Sequence, residues 1–119
     1  MEEVSITQRV LNDETMLVMT GDTVDNANAE ELVKILVSAH ERGYKKVIID
    51  MAKLEFLSSA GVGAIFSRVE PARQSGGDLI LCNVSGNVLY VLGELDVAEH
   101  LTIMTSEQEA AARCGVELG

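Results

Sequence analysis

The chain has 119 residues, of which 47% are apolar and 24% are charged, proportions that are usual for one globular domain. Its 9 basic and 19 acidic side chains give a net charge of −10, which disfavours contact with nucleic-acid phosphates and with anionic membranes. Only 3% of the residues are aromatic, and this also counts against a surface that stacks on bases. We therefore expect a single domain, residues 1–119, that binds a basic or mixed protein partner.

Neither the N-terminus nor the cysteines indicate an exported protein. The chain starts with Met1-Glu2-Glu3 and has no apolar signal-peptide core behind these residues. No apolar run approaches the ~20 residues that span a bilayer. Cys82 and Cys114 do not have the spacing of a metal or redox motif. We expect a cytoplasmic protein without a cofactor, in which Cys82 is a reduced core thiol and Cys114 lies near a helix end.

A hairpin and a helix are predicted for the first third of the chain. Residues 4–11 and 14–19 are strand-like stretches, and Asn12-Asp13 between them supplies the residues that hairpin turns favour. Residues 29–42 carry apolar side chains at i, i+3, i+4 and i+7, which is the spacing of one buried helix face. The chain is therefore expected to open with two antiparallel strands and then a helix.

Strands and helices are predicted to alternate in the rest of the chain. Residues 47–51 form a short continuous apolar run rich in β-branched residues, which is typical of a strand covered on both faces. A second buried strand is predicted at 78–84, and a last short strand at 100–104. The helices predicted between and after them are 58–74, 85–95 and 106–114. Pro71 is expected to bend the first of these helices near residues 67–70, because an interior proline removes a backbone hydrogen bond. In the helix at 85–95, the residues expected to face inward are Val88, Leu89, Val91 and Leu92.

The predicted order is ββαβαβαβα, with about four helices. Helices that alternate with buried strands indicate an α/β fold with a mixed sheet, in which parallel pairs follow the opening antiparallel hairpin.

The segment Ser58-Ser59-Ala60-Gly61, followed by Gly63, is the most informative local pattern. It lies between a predicted strand and a predicted helix. A serine at this point is a favoured helix N-cap, because its side-chain oxygen accepts a hydrogen bond from an unpaired backbone N–H. Two hydroxyls among very small residues also indicate a surface that another protein approaches closely, and a hydroxyl there is well placed for phosphorylation. Both interpretations remain open at this point.

Motifs for catalysis are weak. The chain has no glycine-rich phosphate loop followed by lysine. It also has no nucleophile elbow of the hydrolase type. Asp22, Asp25 and Asp50 lie near predicted strand ends or in loops and could cluster as an acid–base or metal site. Solvated loop carboxylates are the more common outcome of such a pattern, so a small acidic hydrolase is kept only as an alternative.

The chain as a whole resembles the STAS domain, and specifically the single-domain anti-sigma factor antagonists of bacteria. The signature loop, residues 56–63 with the sequence Phe-Leu-Ser-Ser-Ala-Gly-Val-Gly, is similar to the family's usual Asp-Ser-Ser/Thr-Gly-Leu-Gly. The other segments that carry the likeness are Thr20-Gly21-Asp22 with Asp25, the strand at 47–51, Gly76-Gly77-Asp78-Leu79 and Leu92-Gly93-Glu94-Leu95.

The resemblance implies a regulatory protein that is not an enzyme. Such antagonists bind an anti-sigma factor that is also a serine kinase, and this binding releases the sigma factor. The kinase phosphorylates a serine of the signature loop and ends the binding, and a serine phosphatase resets the cycle. Aligned through Gly61, the acceptor is Ser59. Ser58, which stands where the family commonly has aspartate, is the second choice.

The resemblance also implies which residues contact the partner. They are Asp22, Asp25, Ser58, Ser59, Ala60, Gly61, Val62 and Gly63. Because no second apolar stripe is evident in the sequence, we expect a monomer when the chain is free. From the net charge of −10 we expect neither a nucleic acid nor a membrane as partner. The alternative within the same fold is a STAS scaffold or interaction domain of a larger signalling complex that is not phosphorylated.

Overall fold

A five-stranded sheet forms the centre of the computed structural model, which describes residues 6–118. In chain order the strands are β1 (Ile6–Asn12), β2 (Thr15–Thr20), β3 (Thr23–Val24), β4 (Lys46–Asp50), β5 (Phe56–Leu57), β6 (Asp78–Cys82) and β7 (Thr102–Met104). The spatial order in the main sheet is β1-β2-β4-β6-β7; β1 and β2 are antiparallel, and the other neighbours are parallel. The short strands β3 and β5 pair with each other as a separate parallel ladder.

The helices are α1 (Ala29–Glu41), α2 (Ser59–Phe66), α3 (Val69–Gln74), α4 (Gly86–Glu94) and α5 (Glu107–Arg113), with a 3₁₀ turn at Ala98–His100. They divide between the two faces of the sheet. The larger core contains side chains of α1 to α4, and a smaller core on the other face contains side chains of α5. Within residues 6–118, no helix has both the length and the apolar character needed to cross a membrane.

The central strands are buried on both faces because helices cover both sides of the sheet. In β4, Val47 and Ile49 join the larger core, whereas Ile48 between them joins the smaller one. Each such aliphatic side chain contributes about 1.5–3 kcal/mol when it is fully removed from water. This two-sided burial is the physical reason for the continuous apolar run from which the strand was predicted.

The structure confirms the mixed α/β fold with its opening hairpin and alternating order. Residues 4 and 5, at the start of the first predicted strand, lie outside the described residues. The prediction missed β3 and β5, because a strand of two residues is too short to show an alternating pattern.

The helix predicted at 58–74 is two helices, which raises the count from four to five. Helix α2 ends at Phe66, and α3 begins at Val69, so the interruption falls within the segment expected to bend. Pro71 lies in the first turn of α3. The backbone N–H groups of a first turn have no helical partner, so a proline is tolerated there without loss of a hydrogen bond.

One prediction about α4 is wrong. Leu89 was expected to face inward, but its side chain is 46% exposed, whereas Val88 and Leu92 are buried in the larger core. Val88 and Leu92 are four residues apart and therefore share a face of the helix, while Leu89 is rotated about 100° from Val88. The apolar residues of α4 consequently lie on two faces, of which only one is covered.

Candidate functional site

The short ladder between β3 and β5 fixes the start of the signature loop. The carbonyl of Asp22 accepts hydrogen bonds from the N–H groups of Glu55 at 2.8 Å and Phe56 at 3.0 Å. The N–H of Ser58 donates to the carbonyl of Val24 at 2.9 Å. These bonds hold the segment that precedes α1 against the segment that precedes α2, so Asp22 is brought to the signature loop through its backbone.

Ser58 and Ser59 take different positions at the start of α2. Ser58 is the N-cap, with φ −81° and ψ 168°, and its Oγ accepts a hydrogen bond from the N–H of Gly61 at 3.1 Å. Ser59 is the first helical residue and its side chain is exposed. The cap and the accessible hydroxyl are therefore supplied by two separate side chains.

The two glycines of the loop also differ in what they do. A Cβ added to Gly61 would lie 2.7 Å from Leu57 Cδ1 and 2.8 Å from Val24 Cγ1, so this position requires glycine for α2 to pack on the β3–β5 ladder. Gly63 is exposed, and a Cβ added there would meet nothing within 4 Å. Gly63 lies four residues after Ser59 and thus on the same exposed face of α2.

Asp25 belongs to the turn that starts α1 rather than to the signature loop. Its Oδ1 accepts a hydrogen bond from the N–H of Ala27 at 2.9 Å, and its own N–H donates to Asn28 Oδ1 at 2.8 Å. The Asp25 side chain is half-buried, whereas that of Asp22 is exposed. Asp25 therefore organises the entry to α1, and Asp22 adds an exposed carboxylate beside the loop.

Asp50 is part of a different group of side chains. Its Oδ1 accepts hydrogen bonds from the N–H of Ala52 at 2.9 Å and from Asn83 Nδ2 at 3.0 Å. Burial by itself would raise the pKa of Asp50, but the hydrogen bonds with Glu107, Asn83 and Ala52 together hold this pKa below its usual value. Asp50 is therefore the ionised member of a carboxyl pair with Glu107.

Glu107, at the first position of α5, is the other member of this pair. Its hydrogen bond with Asp50, then burial and the Asp50 charge, raise the pKa of Glu107 to about 7, although the positive charge of Arg9 opposes this rise. Burial, with the charges of Asp50 and Glu107, also raises the pKa of Cys82 to about 12. Cys82 is free and buried, which agrees with the reduced core thiol expected from the sequence.

Within residues 6–118 the three aspartates do not form a metal site. Among the side chains of residues 6–118, no group of three or more His, Cys, Asp and Glu is arranged to hold a metal ion. Asp50 has Asn83 and Glu107 as neighbours, while Asp22 and Asp25 lie in the segment before α1. The acidic hydrolase alternative therefore loses the cluster on which it depended.

Two features of these sites were missed in the sequence. Phe56 was assigned to the loop without a prediction of exposure, yet its side chain is 55% exposed directly before the two serines. Glu107 lies within the helix predicted at 106–114, but no contact was predicted for it. Helices that follow parallel strands begin near the edge at which those strands end. A contact between the start of α5, where Glu107 lies, and the end of β4, where Asp50 lies, could therefore have been considered.

The comparisons with known proteins place this geometry in a family. Residues 5–110 match the model of the STAS domain, and the chain belongs to this family. A Bordetella bronchiseptica protein that carries the name anti-sigma factor antagonist BtrV is 32% identical over 91 residues, which cover 75% of this chain and 76% of that protein.

Solved structures show the same fold at lower identity. The Thermotoga maritima protein TM1081, which is assigned to the anti-sigma factor antagonists, superposes with a TM-score of 0.82 at 20% identity, covering 91% of this chain and 92% of its own. The antagonist SpoIIAA gives a TM-score of 0.74 at 20% identity in its unphosphorylated form, covering 92% of this chain and 96% of its own. The phosphorylated form gives 0.73 at 22% identity, covering 92% and 98%.

Proposed function

We propose that this chain is an anti-sigma factor antagonist controlled by phosphorylation of Ser59. It binds an anti-sigma factor that has serine kinase activity, and this binding frees a sigma factor. Transfer of a phosphate to Ser59 ends the binding, and a serine phosphatase removes the phosphate again. In this proposal residues 1–119 act as one STAS domain, monomeric when free, in the cytoplasm, without catalytic activity or a cofactor of its own.

The observation that carries the proposal is that Ser58 caps α2 while the neighbouring Ser59 is exposed. A kinase needs a hydroxyl that it can reach and that the fold does not require. Ser59 is exposed at the first position of α2, while the capping bond to Gly61 is made by Ser58. Modification of Ser59 therefore leaves the cap in place.

The charge of a phosphate explains how one modification changes binding without changing the fold. Phosphorylation adds about −1.5 to −2 charges at neutral pH. At the N-terminus of α2 this charge faces the positive end of the helix dipole, an arrangement worth about 0.3–1 kcal/mol of stabilisation. The phosphorylated and unphosphorylated forms of SpoIIAA resemble this chain equally well, which supports a fold that tolerates the phosphate.

The phosphate is expected to destabilise the complex with the kinase, although it does not destabilise the fold. A kinase that has transferred its phosphate holds ADP, whose phosphates face the newly formed phosphoserine. Two anionic groups in an interface that excludes water repel each other and lose hydration. The exposed carboxylates of Asp22 and Glu55 beside the loop add to this repulsion.

Five of the predicted contact residues take three roles in this proposal. Ser59 and Gly63 form the exposed face that the partner covers, and Asp22 supplies a charge at its edge. Gly61 and Val62 are buried, so they support this face from beneath. The lack of a side chain at Gly63 allows a partner to approach the helix backbone closely.

The test is to incubate the purified chain with an anti-sigma serine kinase of its organism and ATP, and to map the modified residue by mass spectrometry. We expect one phosphate on Ser59, which disappears in Ser59→Ala and persists in the matched control Ser58→Ala. A phosphate on Ser58 would contradict the assignment of the acceptor. Binding without phosphate on either serine would favour the unphosphorylated scaffold function, and absence of binding would refute the antagonist function.

A further inference from the structure

The solvent-facing side of α4 carries exposed apolar residues, and its charged side chain is Glu94 at the C-terminal end. Leu89 is 46% exposed and Tyr90 is 68% exposed, while Val88 and Leu92 hold the opposite side of the helix in the core. The first charged residue of α4 is Glu94, at its end. In a chain in which 24% of the residues are charged, an exposed helix face with no charge before its last residue is a feature that needs an explanation.

The spacing of these residues makes one continuous stripe. Gly86, Leu89, Tyr90 and Gly93 are related by i, i+3, i+4 and i+7, so they line one side of the helix. Both glycines are exposed, and a Cβ added at either would meet nothing within 4 Å. Single exposed apolar residues are ordinary, but a contiguous exposed stripe of this kind is characteristic of an interaction surface.

This stripe is connected to the signature loop. Helix α4 packs against β5, and β5 carries Phe56, whose ring is 55% exposed. Phe56 precedes the N-cap Ser58 by two residues. A partner that covers Ser59 therefore lies next to Phe56, and beyond Phe56 next to α4.

We propose that Phe56, Gly86, Leu89, Tyr90 and Gly93, called here the α4 surface, form a second contact area for the same anti-sigma factor that reaches Ser59. This inference rests on the proposed function. The matching area of the partner has an apolar centre that receives Tyr90 and Leu89. Aromatic side chains such as tyrosine are the residues that most often dominate binding energy at such centres.

The acidic side chains around the α4 surface favour a basic partner over a second copy of the chain. Glu55 is adjacent to Phe56 in the chain, and Glu94 and Asp96 lie at and just beyond the C-terminal end of α4; all three are exposed. A partner with Lys or Arg around its apolar centre complements this acidic rim. Two copies of a chain with a net charge of −10 would instead bring acidic rims together.

A contact area that is separate from the reacting hydroxyl has a kinetic consequence. The α4 surface holds the kinase on the domain but does not touch the phosphate in transfer. Loss of this contact weakens the complex in its ground state and in its transition state equally, so KM for Ser59 phosphorylation rises while kcat is unchanged. A variant that disturbed the position of Ser59 would lower kcat instead.

The experiment compares Tyr90→Gln and Leu89→Gln with Val10→Thr, a control that also removes an exposed apolar side chain. Val10 lies on the edge strand β1 and is 49% exposed. The probes are the purified anti-sigma factors with serine kinase activity from the source organism, each with ATP. We expect Kd and KM to rise about tenfold or more for Tyr90→Gln, the loss typical of a central interface residue. For the control we expect both to stay within about twofold, as is usual for surface changes.

The possible results separate this inference from the proposed function. If the wild-type chain binds and is phosphorylated on Ser59 but both α4 variants behave like it, the α4 surface is not a contact area. If sedimentation shows a wild-type dimer that Tyr90→Gln dissociates, the occupant is a second copy and the inference is overturned. If the wild-type chain binds none of the kinases, the proposed function fails and this inference fails with it. Thermal unfolding of each variant checks that the fold is retained.

Discussion

The hydroxyl of Ser58 accepts a hydrogen bond from the backbone N–H of Gly61 at 3.1 Å, and this contact defines the N-cap of α2. Aspartate is as good an N-cap as serine, because its carboxylate accepts the same kind of bond. Ser58, which the resemblance aligns with an aspartate common in antagonists, therefore makes a cap that an aspartate at this position could also make. What it removes is a negative charge next to Ser59.

We first predict that Ser58→Ala destabilises the domain and that Ser58→Asp does not. Loss of a capping side chain costs about 0.5–2 kcal/mol of unfolding free energy. Aspartate preserves the cap and also interacts favourably with the positive end of the helix dipole. Urea unfolding, monitored by circular dichroism, measures both changes.

Ser59→Ala is the matched control for this prediction. The neighbouring serine is exposed and is not the capping residue, so its truncation is expected to change the unfolding free energy by less than about 0.5 kcal/mol. Equal losses in Ser58→Ala and Ser59→Ala would show that the two hydroxyls share the capping role.

Our second prediction is that Ser59→Asp weakens binding to the anti-sigma factor and leaves the melting temperature almost unchanged. The added carboxylate imitates part of the phosphate charge, and it lies at the helix N-terminus, where an anion is tolerated. Titration calorimetry against the kinase measures the affinity, and calorimetric melting measures the fold. Ser59→Ala removes the hydroxyl without adding charge and is expected to bind normally. Retained binding by Ser59→Asp would favour the unphosphorylated scaffold.

The third prediction uses the contrast between Gly61 and Gly63. Gly61→Ala places a Cβ 2.7 Å from Leu57 Cδ1, 2.8 Å from Val24 Cγ1 and 3.0 Å from the Val24 carbonyl oxygen. Such overpacking costs about 1–3 kcal/mol. Over most of this range the cost exceeds the ~1 kcal/mol that alanine gains over glycine within a helix, so Gly61→Ala is expected to lower the unfolding free energy.

Gly63→Ala is expected to raise the stability of the domain instead of lowering it. A Cβ at this exposed position meets nothing within 4 Å, so the domain gains up to about 1 kcal/mol of stability. If the partner approaches α2 as closely as proposed, the same methyl group weakens binding. A Gly63→Ala protein that is more stable and binds as well as wild type would contradict close approach at this residue, although not the fold.

Sequence reasoning succeeded where the determining chemistry is local. The start of α2 followed from the capping preference of serine, and the interruption of the predicted helix followed from Pro71. The central strands followed from their apolar runs, because burial on both faces leaves no place for polar residues. The assignment of Ser59 as the acceptor remains a prediction that the structure makes physically reasonable.

The sequence could not reveal features that depend on tertiary contacts. The ladder between β3 and β5 joins two very short segments that are distant in the chain, so neither carries a strand pattern. The apolar residues of α4 permit two inward faces, and only packing against the core selects Val88 and Leu92 over Leu89. The sequence showed no obvious second apolar stripe, because it does not reveal which side of α4 the core covers. The structure shows that Leu89 and Tyr90 on the uncovered side are exposed.

The last prediction concerns Glu107, whose pKa is raised from 4.5 to about 7 by its hydrogen bond with Asp50, burial and the Asp50 charge. An acid with a raised pKa in the folded state binds its proton more tightly there than in the unfolded chain. Its contribution to stability is therefore complete below pH 4.5 and is lost as the pH rises to about 7. Above that pH both carboxylates are charged and repel each other.

Glu107→Gln should remove this pH dependence, because an amide can donate a hydrogen bond to the Asp50 carboxylate whatever the pH. We expect the variant to be more stable than wild type at pH 8, with the difference shrinking as the pH falls through the window from 7 to 4.5. Glu109→Gln is the matched control, since it removes the same charge from an exposed position in the same first turn of α5. Urea unfolding at several pH values measures both. Parallel pH profiles for the two variants would show that general charge reduction, rather than the contact between Glu107 and Asp50, is responsible.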